Sequence, residues 1–133
     1  MFELTKKSEY GLQLMVYLAK KTNRKPVSLK KVARDKKMPY RFLSRVAAKL
    51  KEAGLLGTKE GVTGGFFLAK PAKKIHVSDI LEVLEGKIEM VNCLQSANSC
   101  PWASSCHQRK MFQQLTGSVR NIFQAHTLAD LAV

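Results

Sequence analysis

The sequence predicts a mainly α fold with a small β-hairpin wing: a winged helix-turn-helix extended by a long C-terminal helix. Three observations predict it. Apolar residues recur at three- and four-residue steps in five separate segments. Two short apolar runs flank a glycine-rich connector directly after the third of those segments. Residues 91–108 break the helical pattern, and all three cysteines lie there.

Thr5 is placed to cap a helix over residues 6–21, in which Leu12, Met15, Val16 and Ala19 form one apolar stripe. A polar, basic break follows over 22–26. Ser28 caps a short helix over 29–35, with Leu29, Val32 and Ala33 on one side. Lys36, Lys37 and Met38 turn the chain, and Pro39 stands where a third helix begins, a position proline tolerates. That helix runs to residue 53 with Leu43, Val46, Ala47 and Leu50 inward, and Gly54 ends it. Residues 55–58 and 65–69 read as two strands joined by the connector 59–64, and Pro71 closes the hairpin. Ser78 caps a fourth helix, with Asp79 and Glu82 in its first turns and Gly86 at its end. The last helix spans 108–125. Its stripe of Met111, Phe112, Leu115, Val119, Ile122 and Phe123 has no evident partner in the short remainder of the chain, so the expectation is a homodimer.

The chain therefore divides into a winged helix-turn-helix over 1–75 and a second part over 76–133. The second part holds a linker helix, the cysteine loop (91–108) and the dimerisation helix (108–125). Charge follows the same division. Residues 1–75 hold 19 Lys/Arg against 5 Asp/Glu, a balance of +14, and residues 76–133 hold 4 against 5, a balance of −1. A merely solubilising surface has no reason to stop at residue 75; a module that binds a polyanion does. With 133 residues, 45% hydrophobic and 25% charged, the chain can bury a core and lacks the composition of a disordered tail. The first residues lack the cationic start and apolar stretch of a secretory leader, and no run of roughly 18 apolar residues occurs. The expectation is a cytoplasmic protein with reduced thiols, no membrane span and no enzymatic activity.

In a helix-turn-helix the second helix enters the major groove of double-stranded DNA. Its outward residues here are Tyr40, Arg41, Ser44 and Arg45, opposite the apolar stripe. Arginine bonds guanine bidentately, and serine and tyrosine reach base edges or phosphates. Lys30, Lys31, Lys36, Lys37 and Lys49 suit the phosphate backbone, and Lys59 of the hairpin suits a neighbouring groove. Phe66 and Phe67 read as core and hairpin packing rather than as a platform for stacking RNA bases.

Cys93, Cys100 and Cys106 are separated by six and then five residues. A structural zinc site would show paired C-x-x-C knuckles, and none is present. Three well-spaced thiols suit a larger object such as an iron–sulfur cluster, whose irons take thiolate ligands. A fourth ligand must then come from elsewhere: His107, His76, His126 or a carboxylate. The competing reading is a set of free thiols or a redox disulfide with one cysteine left over. A small iron–sulfur electron carrier would have no use for the basic first part of the chain.

Taken together, several segments resemble the IscR/NsrR family of bacterial winged-helix regulators. They are Leu4-Thr5-Lys6 with Tyr10, Pro39-Tyr40-Arg41-Phe42-Leu43, Leu50-Lys51-Glu52-Ala53-Gly54-Leu55-Leu56, and Gly64-Gly65-Phe66-Phe67-Leu68-Ala69-Lys70. Val77-Ser78-Asp79-Ile80 and the cysteine loop follow. The resemblance covers essentially the whole chain. It implies a dimer on a palindromic operator, with a 2Fe-2S or 4Fe-4S cluster on the three cysteines that senses redox state, nitric oxide, iron or cluster supply. It places groove contacts at Pro39, Tyr40, Arg41, Ser44 and Arg45. In some members the fourth ligand is an acid in the first helix of the other subunit, and Glu9 occupies that position. In others it is a histidine three residues past the last cysteine, where this sequence has Arg109; Glu9 is thus favoured, with His107 as the alternative. A wing arginine of a relative is replaced here by Glu60, leaving Lys59 as the basic wing residue.

Overall fold

The computed structural model describes residues 3–21, 25–91, 101–102 and 105–133. Its helices are α1 (Lys6–Ala19), α2 (Leu29–Lys36), α3 (Tyr40–Glu52), α4 (Val77–Glu85), α5 (Arg109–Ala125) and α6 (Leu128–Leu131), with strands β1 (Leu56–Lys59) and β2 (Gly65–Leu68) between α3 and α4. A short 3₁₀ turn, Ala72–Lys74, connects β2 to α4.

Helix α1 starts where Thr5 Oγ1 accepts from the Ser8 amide. The opposite face of its first turn is tied to the end of α4. Ser8 is fully buried, and its hydroxyl donates to Glu85 Oε1 at 2.7 Å; the Thr5 hydroxyl and amide donate to the same oxygen. Partial burial pushes the Glu85 carboxyl up, but these hydrogen bonds outweigh it and hold the group below its ordinary range. Gly11 brings the helices close, since a Cβ there would meet Leu84 Cδ1 at 2.2 Å and Val46 Cγ1 at 3.3 Å.

Helices α2 and α3 form the helix-turn-helix. Ser28 Oγ accepts from the Lys31 amide, so the predicted cap is present. The turn closes with the Met38 amide donating to the Ala33 carbonyl at 2.9 Å. This is the bonding of a glycine-ended helix, yet the left-handed position is held by Lys37, at φ 55° and ψ 48°. Helix α3 ends in the same way with Gly54 at φ 83°, and the Leu55 amide donates to the Leu50 carbonyl at 3.0 Å. Pro39 lies just outside α3 as its N-cap.

The hairpin pairs antiparallel in the register Leu56↔Leu68 through Lys59↔Gly65. Val27, directly after the polar break, adds a third, one-residue strand: Val27 and Phe66 exchange both backbone hydrogen bonds, at 2.9 and 2.8 Å. Gly65 permits that approach, because a Cβ there would lie 2.3 Å from the Val27 carbonyl.

Helix α4 begins one residue before Ser78, and its N-cap is His76, whose amide donates to Asp79 Oδ2 at 2.9 Å. Ser78 is instead buried. After α5 the chain returns to the core. The Leu128 amide donates to the Ile75 carbonyl at 2.7 Å, and the Leu128 side chain is fully buried with Leu14, Met15, Leu43, Val46, Leu50, Ile75, Ile80 and Leu84.

Two stability outcomes follow. Leu128→Ala leaves a cavity under α1 and should cost about 2–5 kcal/mol in denaturant unfolding. The Glu85 carboxylate is favoured in the folded state, so its contribution is complete above the ordinary carboxylate pKa and is lost as pH falls through the lower, folded value. Glu85→Gln should therefore flatten the acid limb of the stability–pH curve, with little change in its shape above neutrality; an unchanged acid limb would contradict this.

Candidate nucleic-acid interface and cysteine site

The first turns of α3 present the predicted reading face. Leu43, Val46, Ala47 and Leu50 are buried, while Pro39, Tyr40, Arg41 and Arg45 are exposed and Ser44 is half-buried between them. Among the described residues neither Arg41 nor Arg45 is in an ion pair, so both guanidinium groups keep their donors available. Lys30 on α2 places its ammonium 5.9 Å from the centre of the Tyr40 ring. It thus joins the two helices at the edge of the face. Lys49 is exposed near the end of α3, and Lys59 and Glu60 are exposed where β1 enters the wing tip.

Acid is nearly absent from this surface. Asp35 is the only Asp or Glu between residues 10 and 51. It is neutralised locally: the Tyr17 hydroxyl donates to Oδ2 at 2.6 Å, and Lys31 Nζ lies 3.0 Å from the same oxygen. The Tyr17 hydrogen bond first, and the Lys31 one second, hold the Asp35 carboxyl below its usual range. Lys31 is correspondingly committed to Asp35, which sets it apart from the other lysines read as backbone contacts.

The cysteine site is described only in part. Cys93 and Cys100 lie outside the described residues. Cys106 is a half-buried free thiol three residues before α5. His107 beside it is exposed. Glu9 sits in the first turn of α1 with its carboxylate 3.1 Å from Lys6 Nζ and its side chain 48% exposed. Among the described residues, no group of three or more His, Cys, Asp or Glu is placed to hold a metal ion. His76 and His126 have a different role. Their Nδ1 atoms face the main-chain carbonyls of Gln124 at 2.8 Å and Ile122 at 2.9 Å, and therefore carry the proton. The His76 ring fastens the end of α5 to the start of α4, whereas the His126 ring bonds back onto the last turn of α5 itself.

Sequence reading missed how the cysteine loop is anchored. Arg120 on α5 donates to the Ile88 carbonyl at 2.6 Å and pairs with Glu89 at 3.1 Å, and the Glu89 side chain is only 7% exposed. The Met90 amide donates to Thr116 Oγ1 at 3.3 Å, and Thr116 is buried. The segment that leads into the loop is thus stitched to the middle of α5, while Cys106 leads straight into its start. A polar residue inside an apolar stripe, Thr116 between Phe112 and Val119, is the one signal that pointed there. Of the α5 stripe, Met111 is 55% and Ile122 58% exposed, with Leu115 also exposed, whereas Phe112, Val119 and Phe123 are half-buried.

The Rrf2 family, described as iron-dependent transcriptional regulators, matches residues 4–133. The chain belongs to this family. Among its relatives, the transcriptional regulator CymR of Bacillus subtilis is 31% identical over 130 residues, covering 98% of this chain and 89% of CymR. The regulator NsrR of Shouchella clausii is 28% identical over 132 residues, with coverage of 98% and 89%. The solved structure of CymR, described as the global cysteine regulator of B. subtilis, superposes with a TM-score of 0.83, covering 99% of this chain and 97% of that one. IscR of T. potens superposes with a TM-score of 0.77 at 28% identity, covering 98% and 85%. As an Rrf2 protein the chain is a winged-helix, DNA-binding transcriptional regulator and not an enzyme. Among the described residues no helix is long and apolar enough to cross a membrane.

The expected reading face on α3 gives a direct test. On a duplex selected for tight binding, Arg41→Ala and Arg45→Ala should each cost about 1–3 kcal/mol and relax the preference at one base position. Lys49→Ala and Lys59→Ala should weaken all duplexes alike and lower the salt slope by about one each. Equilibrium anisotropy titrations at several salt concentrations read both quantities; uniform weakening by the two arginine variants would remove them from base reading.

Proposed function

We propose that this Rrf2 protein acts as a homodimer on a palindromic operator and that an iron–sulfur cluster held by Cys93, Cys100 and Cys106 sets its operator affinity. Glu9 of the partner subunit is the fourth ligand, with His107 as the alternative. The observation that carries the reading is the donor set itself. Three thiols in one loop and an exposed carboxylate on α1 match the ligands an iron–sulfur centre takes. The open apolar face of α5 supplies the surface for the dimer.

When bound, such a cluster supplies a centre that changes with electrons, nitric oxide or iron supply. The chain's own residues convert this into affinity. The three thiolates fix the loop, and the segment leading into it is stitched to α5 through Arg120 and Thr116. Glu9, an oxygen donor, holds iron less tightly than thiolate does, which makes the site labile. Arg41 and Arg45 of two subunits read two half-sites only when the dimer spaces the α3 helices correctly.

A second reading keeps the DNA binding and makes the cysteines thiol switches, or has the protein answer to a partner. Its support is the likeness to CymR, described as a global cysteine regulator. One experiment separates the two. Protein purified without oxygen should show thiolate-to-iron charge-transfer absorption with matching iron and sulfide per chain. Glu9→Ala should alter that spectrum or shorten retention while the fold stays intact. A colourless protein that cannot be reconstituted, with oxidant-dependent DNA affinity, would contradict the cluster and favour the switch.

A further inference from the structure

Two aromatic rings stand in the first turn of α3, and the fold treats them differently. Phe42 packs against the core, where the Tyr10 ring meets it edge-on with centroids 5.3 Å apart. Met38, two residues before Tyr40, packs there too. Tyr40 lies outside that cluster and is 44% exposed. A single exposed apolar residue is ordinary. This one is set apart by the cation beside it and by its place on the reading face.

Lys30 Nζ of α2 sits 5.9 Å from the centre of the Tyr40 ring, and among the described residues Lys30 is in no ion pair. Tyrosine has only two side-chain torsions, so an ammonium over its face is enough to favour one orientation of the ring. The pair also spans two surfaces of a duplex. In a helix-turn-helix the first helix crosses the backbone, while the start of the second meets base edges. Lys30 belongs to the first helix, and Tyr40 is the first residue of the second.

We propose that Tyr40 reads the C5-methyl group of a thymine in the major groove, and that Lys30 is the positioning residue that aims its ring. The inference rests on α3 entering that groove. The thymine methyl is the apolar feature of the major groove, and an apolar side chain in contact with it is what recognises it. A ring with an ammonium over one face keeps its other face and its edge for such a contact. Arg41 and Arg45 are suited to the hydrogen-bonding atoms of guanine. Tyr40 adds a reading that arginine does not make, so each half-site should hold a thymine at a fixed step from its guanines.

The test uses the full-length protein, purified without oxygen, on a duplex selected for tight binding. Each thymine is replaced in turn by deoxyuridine, which removes the methyl and keeps every hydrogen-bonding atom. At one step of the half-site this should weaken the wild type about fourfold, the worth of one buried methyl group. Y40S should erase that ratio, whereas Y40F, which retains the ring, should keep it whatever happens to overall affinity. K30Q should bring the ratio toward one, and K30R, which restores a cation over the ring, should bring it back. A lysine that serves only the phosphate backbone would weaken thymine and uracil duplexes alike; an unchanged ratio in K30Q would therefore overturn the role of Lys30. A ratio that survives in Y40S, or indifference to every uracil in a protein that still selects its sequence, would overturn the inference as a whole. Binding without any sequence preference would overturn the placement of α3 in the groove, and this inference with it.

Discussion

The close approach of α1 to α4 at Gly11 is the constraint on which the rest of the structure depends. A single missing Cβ lets Leu84 and Val46 reach the backbone of α1. With the helices that close, Glu85 can collect the hydroxyls of Thr5 and Ser8, and Leu128 can close the core beneath. Helix α1 thereby becomes a shared wall. Its inner face is core, its first turn is locked to the end of α4, and its outer face carries Glu9 toward the helix-turn-helix turn. Packing of this kind transmits displacement because a filled interior yields in steps rather than smoothly.

The electrostatics of the reading face follow a similar economy. Most of the positive charge of the first 75 residues is unopposed, and Asp35, the acid of α2, is consumed by Tyr17 and Lys31. The result is a surface on which two arginines and several lysines stand ready for a polyanion, framed by a tight three-strand junction at Val27 and Phe66. The wing departs from this pattern at Glu60, where a carboxylate faces outward at the tip. A groove lined by phosphates repels a carboxylate there.

Much of this was legible in the residues. Periodicity located all four helices that build the core around the wing, as well as α5, because amphipathic helices record their buried face every three or four positions. Thr5, Ser28 and Gly54 marked helix ends for reasons of hydrogen bonding and backbone freedom, and the structure keeps each of them. What the sequence concealed was long-range. Val27 joins the sheet through its backbone, and a one-residue strand has no period to detect. Leu128 looked like part of a short remainder, yet it is a core residue because α5 returns the chain to α1. His76 caps α4 in place of Ser78, and Lys37 closes α2 where glycine would be the usual signal. Of the cysteine site, sequence chemistry supplies the ligand types, and the described residues add the anchoring of the loop through Glu89, Arg120 and Thr116.

The proposed function comes down to one claim: two copies of α3, held apart by a dimer built on α5, read two half-sites of one operator. Selection of tight binders from a pool of random duplexes, followed by sequencing, tests it most directly. The account predicts an enriched motif with two-fold symmetry and a fixed half-site spacing, set by the distance between the recognition helices. A single asymmetric half-site, or enrichment without any motif, would contradict it.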